Sequence, residues 1–114
     1  LHLNDYDKAI EYLQKFKSKD EMIMPLAIGA IGDAYVEKGE HSKAVTHYKK
    51  AANEASNSFL TPIFLQKAGE LLEFLEKPAE ALVQYQRIKV DYPDSNEGRQ
   101  IEKYIGRAKL KSAE

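Results

Sequence analysis

Apolar residues return every three or four positions along most of the chain, between short breaks marked by Gly, Pro, Asn or Ser, as in a succession of amphipathic helices. The stripes are Ala9, Leu13 and Phe16; Ile28, Ile31, Gly32 and Tyr35; Ala44, Tyr48 and Ala51; Leu65, Ala68, Gly69 and Leu72; Ala81, Tyr85 and Ile88; and Ile101, Tyr104, Ile105 and Ala108. They predict an all-α chain of about six helices. Asn4 or Asp5 reads as the N-cap of the first helix, which runs to about Lys17. Ser18 and Glu21 have capping-box spacing for the second, with Pro25 in its first turn. Gly39 ends that helix, and His41 or Ser42 starts a partner running to about Ala55. Thr61-Pro62 and Lys77-Pro78 suit helix starts, since proline at the first helical position gives up no intrahelical bond. Asp94-Ser95-Asn96 caps a last helix to about Lys111.

The pattern repeats. Gly32 to Gly69 and Ala44 to Ala81 are both separated by 37 positions, and Gly106 lies 37 beyond Gly69. Small side chains at a crossing let helix axes approach to roughly 8–10 Å, so Gly32 with Ala44, and Gly69 with Ala81, are expected where two antiparallel helices meet. Tyrosines then fill the space beside them.

This spacing resembles the tetratricopeptide repeat (TPR), with Gly and Tyr on a first helix and Ala-x3-aromatic on a second. Ile28, Gly32, Tyr35, Ala44, Tyr48 and Ala51 occupy the signature in one repeat, and Leu65, Gly69, Leu72, Ala81, Tyr85 and the closing Pro93 in the next. The resemblance implies one TPR domain over 1–114, a right-handed superhelix of antiparallel hairpins. Its expected parts are a second helix of a truncated repeat (1–18), repeats at 20–56 and 58–93, and a capping helix, or first helix of a further repeat, at 95–112. Entry into the chain midway through a repeat suggests a fragment of a longer protein. Its first helix should show a partly apolar outer flank, because a solenoid repeat buries its faces only against neighbours. The phrase Tyr85–Ser95 is similar to repeat endings in TPR proteins of the bacterial envelope, which implies a periplasmic setting.

Composition narrows the chemistry. With 17 basic and 18 acidic residues the net charge is −1, so no overall field gathers nucleic acid or an anionic membrane. Tyr48-Lys49-Lys50 and Tyr85-Gln86-Arg87 set aromatics beside cations, yet these tyrosines are the packing ones. The chain has no cysteine, hence no thiolate nucleophile or thiolate metal site. His2, His41 and His47 fall on different segments or faces without metal-ligand spacing. Gly29-Ala30-Ile31-Gly32 lacks the strand and the Lys-Ser/Thr ending of a phosphate loop. No catalytic, metal or cofactor residue is expected, and no apolar run reaches the ~20 residues of a membrane span.

The resemblance instead directs attention to the concave face lined by first helices. By carry-over it holds Leu26, Gly29, Asp33, Val36 and Glu37, then Ile63, Gln66, Glu70, Glu73 and Phe74, then Lys103, Arg107, Leu110 and Lys111. The carboxylate clamp of the chaperone-binding branch is not reproduced, since the matching places hold Gly29, Asp33, Gln66, Lys67 and Glu70. The face is expected to be acidic along two helices and basic along the last, and to bind a protein or peptide segment of basic character. Glu70 and Glu73 are expected to be surface acids whose replacement spares the fold. Two alternatives are self-association, a homodimer through the Ala9–Leu13–Phe16 end, and an accessory domain of an enzyme whose site lies elsewhere.

Overall fold

The computed structural model describes residues 3–113, with side chains from residue 5. Leu1, His2 and Glu114 lie outside the described residues. Six helices follow one another: α1 (Leu3–Lys15), α2 (Ile23–Glu37), α3 (His41–Ala55), α4 (Thr61–Phe74), α5 (Pro78–Asp91) and α6 (Asn96–Ser112). Among the described residues there is no strand. Each helix packs on the next, and α4 also touches α6, giving a slab of 40 × 30 × 17 Å. Thus α2, α4 and α6 share one side, while α3 and α5, joined by the Arg87 Nη1 to Asn53 Oδ1 bond (2.8 Å), share the other.

The repeated residues make the hairpins. Ile28, Gly32, Ala44, Tyr48 and Ala51 are buried, as are Leu65, Gly69, Leu72, Ala81 and Tyr85; Tyr35 is half-buried and Pro93 lies exposed after α5. A Cβ on Gly32 would stand 2.7 Å from Cε1 of Tyr48, and one on Gly69 would stand 2.9 Å from Cδ1 of Tyr85. Each glycine is therefore the seat of the tyrosine ring from the following helix. Gly106, the third in the series, differs. A Cβ there meets nothing within 4 Å, so it is no crossing point. Around it, the outer face of α6 carries exposed Glu102 and Lys109 in the places of buried Leu65 and Leu72, so that face is solvated.

The helix ends are set by local hydrogen bonds, and here several expectations need correction. Helix α1 is already under way at Leu3, which puts Asn4 and Asp5 inside its first turn rather than at its cap, and it ends at Lys15. Its contact with α2 is made by Ile10, which packs with Ile31 and Ala34, and by Tyr6 and Leu13. Ala9 faces solvent with Tyr12, and Phe16 is half-buried, so α1 does have a partly apolar outer flank. Ser18 and Glu21 form no capping box. Ser18 Oγ accepts from the Asp20 N–H (3.1 Å), and Asp20 Oδ1 accepts from Met22 (2.8 Å) and Ile23 (3.2 Å), capping α2 from an Asx turn. Ser95 does cap α6, accepting from Gly98 N at 2.9 Å.

The linker between repeats is fastened through Asn57, whose Oδ1 accepts from Phe59 (3.0 Å) and Leu60 (2.7 Å). The fully buried Thr61 hydroxyl donates to the Ala52 carbonyl (3.0 Å) and accepts from Asn57 N (3.0 Å). Its burial is thus fully compensated.

Helices α2 and α4 end in the same turn. Glu40 N donates to Tyr35 O and Lys77 N to Leu72 O, the six-to-one bond of a Schellman motif. The residue before each adopts positive φ: Gly39 at 78° and Glu76, 37 positions on, at 60°. A left-handed L residue costs ~1–2 kcal/mol, partly offset in a glycine by its greater unfolded freedom. Glu76→Gly should accordingly stabilise the chain by about 0.5–1 kcal/mol, seen as a rise in the urea midpoint.

Candidate partner-binding groove

Between α2 and α4 lies an open groove of about 390 Å³, lined by Val36, His41, Tyr48, Lys67, Glu70, Leu71 and Phe74. Helical spacing builds it. Val36 lies one turn beyond Gly32, and Lys67, Glu70, Leu71 and Phe74 occupy successive turns of α4. The Tyr48 ring seated on Gly32 forms the floor. Phe74 forms the lip, 69% exposed, its ring centroid 5.0 Å from that of His41.

Polar contacts tie this floor to both walls. The Tyr48 hydroxyl donates to Asp33 Oδ1 at 2.5 Å, and Lys67 Nζ donates to the same oxygen at 3.0 Å while lying 5.4 Å from the centre of the Tyr48 ring. Burial, and then the Asp33 carboxylate, push the Tyr48 phenol well above its ordinary range, so it stays protonated as the donor. Glu70 and Glu37 are exposed. Glu70 accepts from Gln66 Nε2 at 3.4 Å. Among the described residues neither acid forms an ion pair.

The next interval, between α4 and α6, is built differently. Tyr85 hydroxyl donates to Glu73 Oε1 (2.5 Å), and Arg107 grips the same carboxylate through Nε (2.8 Å) and Nη2 (2.6 Å). Lys111 Nζ lies 4.0 Å away. Glu73 is only 9% exposed. It is therefore not the surface acid expected from its place on the helix: its side chain turns inward to tie α4, α5 and α6 together. Burial opposes its charge, but the Arg107 and Tyr85 hydrogen bonds outweigh that and hold its carboxyl below the ordinary glutamate range. Arg107, conversely, is held above its own by Glu73. Hence Arg107 supplies no free basic charge to the face.

The other expected face residues fall as follows. Val36, Glu70 and Phe74 line the groove, and Asp33 joins it through Tyr48 and Lys67. Ile63 is half-buried against the core, and Gln66 half-buried beside Glu70. Lys103 is exposed, its Nζ 5.3 Å from the Tyr104 ring centre. Leu26 and Leu110 are exposed, whereas Gly29 is buried, and a Cβ there would stand 2.6 Å from Cζ of Phe64. Gly29 is thus a second close-approach glycine of α2, facing α4. His41, Tyr48 and Leu71 belong to the groove although the sequence reading of the binding face omitted them, and Lys67, read there only as a clamp position, lines it too. Reading that face at the repeat offset would have found a signal: Val36, Glu70 and Phe74 are replaced by Glu73, Arg107 and Lys111. An open groove in one interval becomes a salt bridge in the next.

Among the described residues no group of His, Asp and Glu is placed to hold a metal ion. No described helix is long and apolar enough to cross a membrane. His47 packs at a tilt against Tyr35, ring centroids 5.1 Å apart, and donates from Nδ1 to Lys43 O at 2.8 Å; His2 lies outside the described residues. Residues 27–58, covering most of α2 and all of α3, match a family model described as tetratricopeptide repeat. Residues 65–95, covering most of α4 and all of α5, match a second model of the same description. A comparison with curated proteins finds no match.

Proposed function

The chain belongs to the tetratricopeptide-repeat family, whose repeats generally mediate protein–protein interaction, and we propose that it is a non-catalytic scaffold that seats a peptide segment of another protein between α2 and α4. One observation carries this reading: an apolar groove open to solvent, with Phe74 largely exposed on its lip. Single large apolar residues at the centre of such a patch commonly dominate binding. The salt-bridged interval between α4 and α6 then serves as the brace beside the groove. A setting in the bacterial envelope is supported by the Tyr85–Ser95 phrase alone.

Selection of a displayed random-peptide library on the whole chain tests the proposal. Selected peptides should bind Phe74→Ser at least about tenfold more weakly. Because Phe74 is exposed, the variant's melting curve should match the parent's within roughly ±0.5 kcal/mol. Peptides that bind both proteins equally would refute the groove as the docking site.

A further inference from the structure

We infer that the groove's occupant is a basic peptide segment in which Lys or Arg flanks a leucine or aromatic side chain; this rests on the groove reading above and names its ligand class. The argument is a local charge balance. Of the charged groups around the opening, Lys67 is matched by Asp33, Lys38 by Asp7, Lys43 by Glu40, and Glu73 by Arg107. Glu70 on the α4 wall and exposed Glu37 on α2, outside the lining but near enough to act on the Tyr48 hydroxyl through space, remain as the unmatched acids among these residues. The opening is therefore negative although the chain as a whole is almost neutral.

Beneath that rim, Val36, Leu71, Phe74 and the Tyr48 ring offer an apolar floor and walls. An apolar side chain flanked by cations satisfies both parts at once. An acidic segment would bring its carboxylates against Glu37 and Glu70, and a nucleic acid its phosphates. Rim charges of this kind act chiefly on association rate, salt dependence and choice of partner, while the apolar anchor holds the complex.

Fluorescence anisotropy with three short synthetic peptides tests the inference on the whole chain: one leucine flanked by lysines, the same with glutamate for lysine, and the same with serine for leucine. The lysine–leucine peptide should bind best, with affinity falling as salt is raised. It should lose about tenfold in affinity for the double variant Glu37→Lys, Glu70→Lys, and a comparable factor for Phe74→Ser. Both variants change exposed residues, so their melting curves check that the fold survives.

Equal binding of the lysine and glutamate peptides, both sensitive to Phe74→Ser, would overturn the charge reading and leave the groove standing. Binding insensitive to Phe74→Ser would overturn both. The exposed Lys109-Leu110-Lys111 run of α6 has the same chemistry. Concentration-dependent self-association abolished by either Leu110→Ser or Phe74→Ser would seat a second copy's Lys109-Leu110-Lys111 in the groove, bearing out the inferred chemistry and overturning only the reading that the occupant belongs to another protein.

Discussion

Gly69→Ala should destabilise the chain by about 1–3 kcal/mol, a fall in melting temperature of roughly 5–15 °C by thermal circular dichroism. The same change at Gly106 should leave the melt unchanged or raise it by the few tenths to ~1 kcal/mol that alanine gains over glycine in a helix. The two glycines hold equivalent places in the repeat, 37 positions apart, so sequence alone assigns them one role. Their surroundings differ. A methyl at Gly69 enters the ring of Tyr85, which is completely buried and anchored at its far end by the bond to Glu73. With both ends fixed, the ring cannot swing aside, and the helices must part instead. At Gly106 the added carbon meets nothing within 4 Å. Equal melts for Gly69→Ala and Gly106→Ala would show that tyrosine seating does not set the spacing of the hairpins.

Glu73→Ala should cost about 2–4 kcal/mol, because it strands the buried Tyr85 hydroxyl and releases Arg107 from its two-point bond. Half-exposed Arg107 can recover water, which keeps the loss below that of a fully enclosed pair. Glu70→Ala, three residues earlier on the same helix, should change stability by no more than roughly ±0.5 kcal/mol. Urea denaturation of the two variants separates them directly.

The pH dependence has a definite sign. The folded pKa of Glu73 lies below its ordinary value of 4.5, so the folded state binds fewer protons than the unfolded chain in that window. Its stabilisation is complete above the ordinary value and disappears as pH falls through the folded one. The gap between parent and Glu73→Ala should therefore narrow on acidification. A gap constant from neutral pH down through the acid transition would mean that the carboxylate charge contributes nothing.

Much of this architecture is legible from residue spacing. Glycine and proline punctuate the helices, and glycine, alanine and tyrosine recur at fixed offsets because two helices can approach only where side chains are small. Depth is harder to read. Glu70 and Glu73 sit three apart on α4 and look equivalent on a helical stripe, but only Glu73 has Arg107 and Tyr85 reaching toward it from two other helices. Such a partner is distant in sequence, 34 residues for Arg107, and one helix's periodicity carries no record of it. The first helix shows a similar limit. Its stripe of Ala9, Leu13 and Phe16 puts Ala9 toward α2, but Ala9 faces solvent and it is Ile10 that fits against Ile31 and Ala34. Caps are ambiguous for a local reason: Ser18, Asp20 and Glu21 can all reach free N–H groups at the start of α2, and a short Asx turn gives Asp20 the better geometry.

The two tyrosine-centred linkages are unequal, and the inequality bears on how a guest would lie along the slab. At the first, lysine and aspartate meet in contact with water, where an ion pair contributes only ~0–1 kcal/mol, and the walls can yield slightly to the shape between them. At the second, the two-point arginine bond leaves no such give. On the proposed reading, a polypeptide lying along this side would find a pliant berth at one interval and a locked joint at the next, and a single seat would set its register.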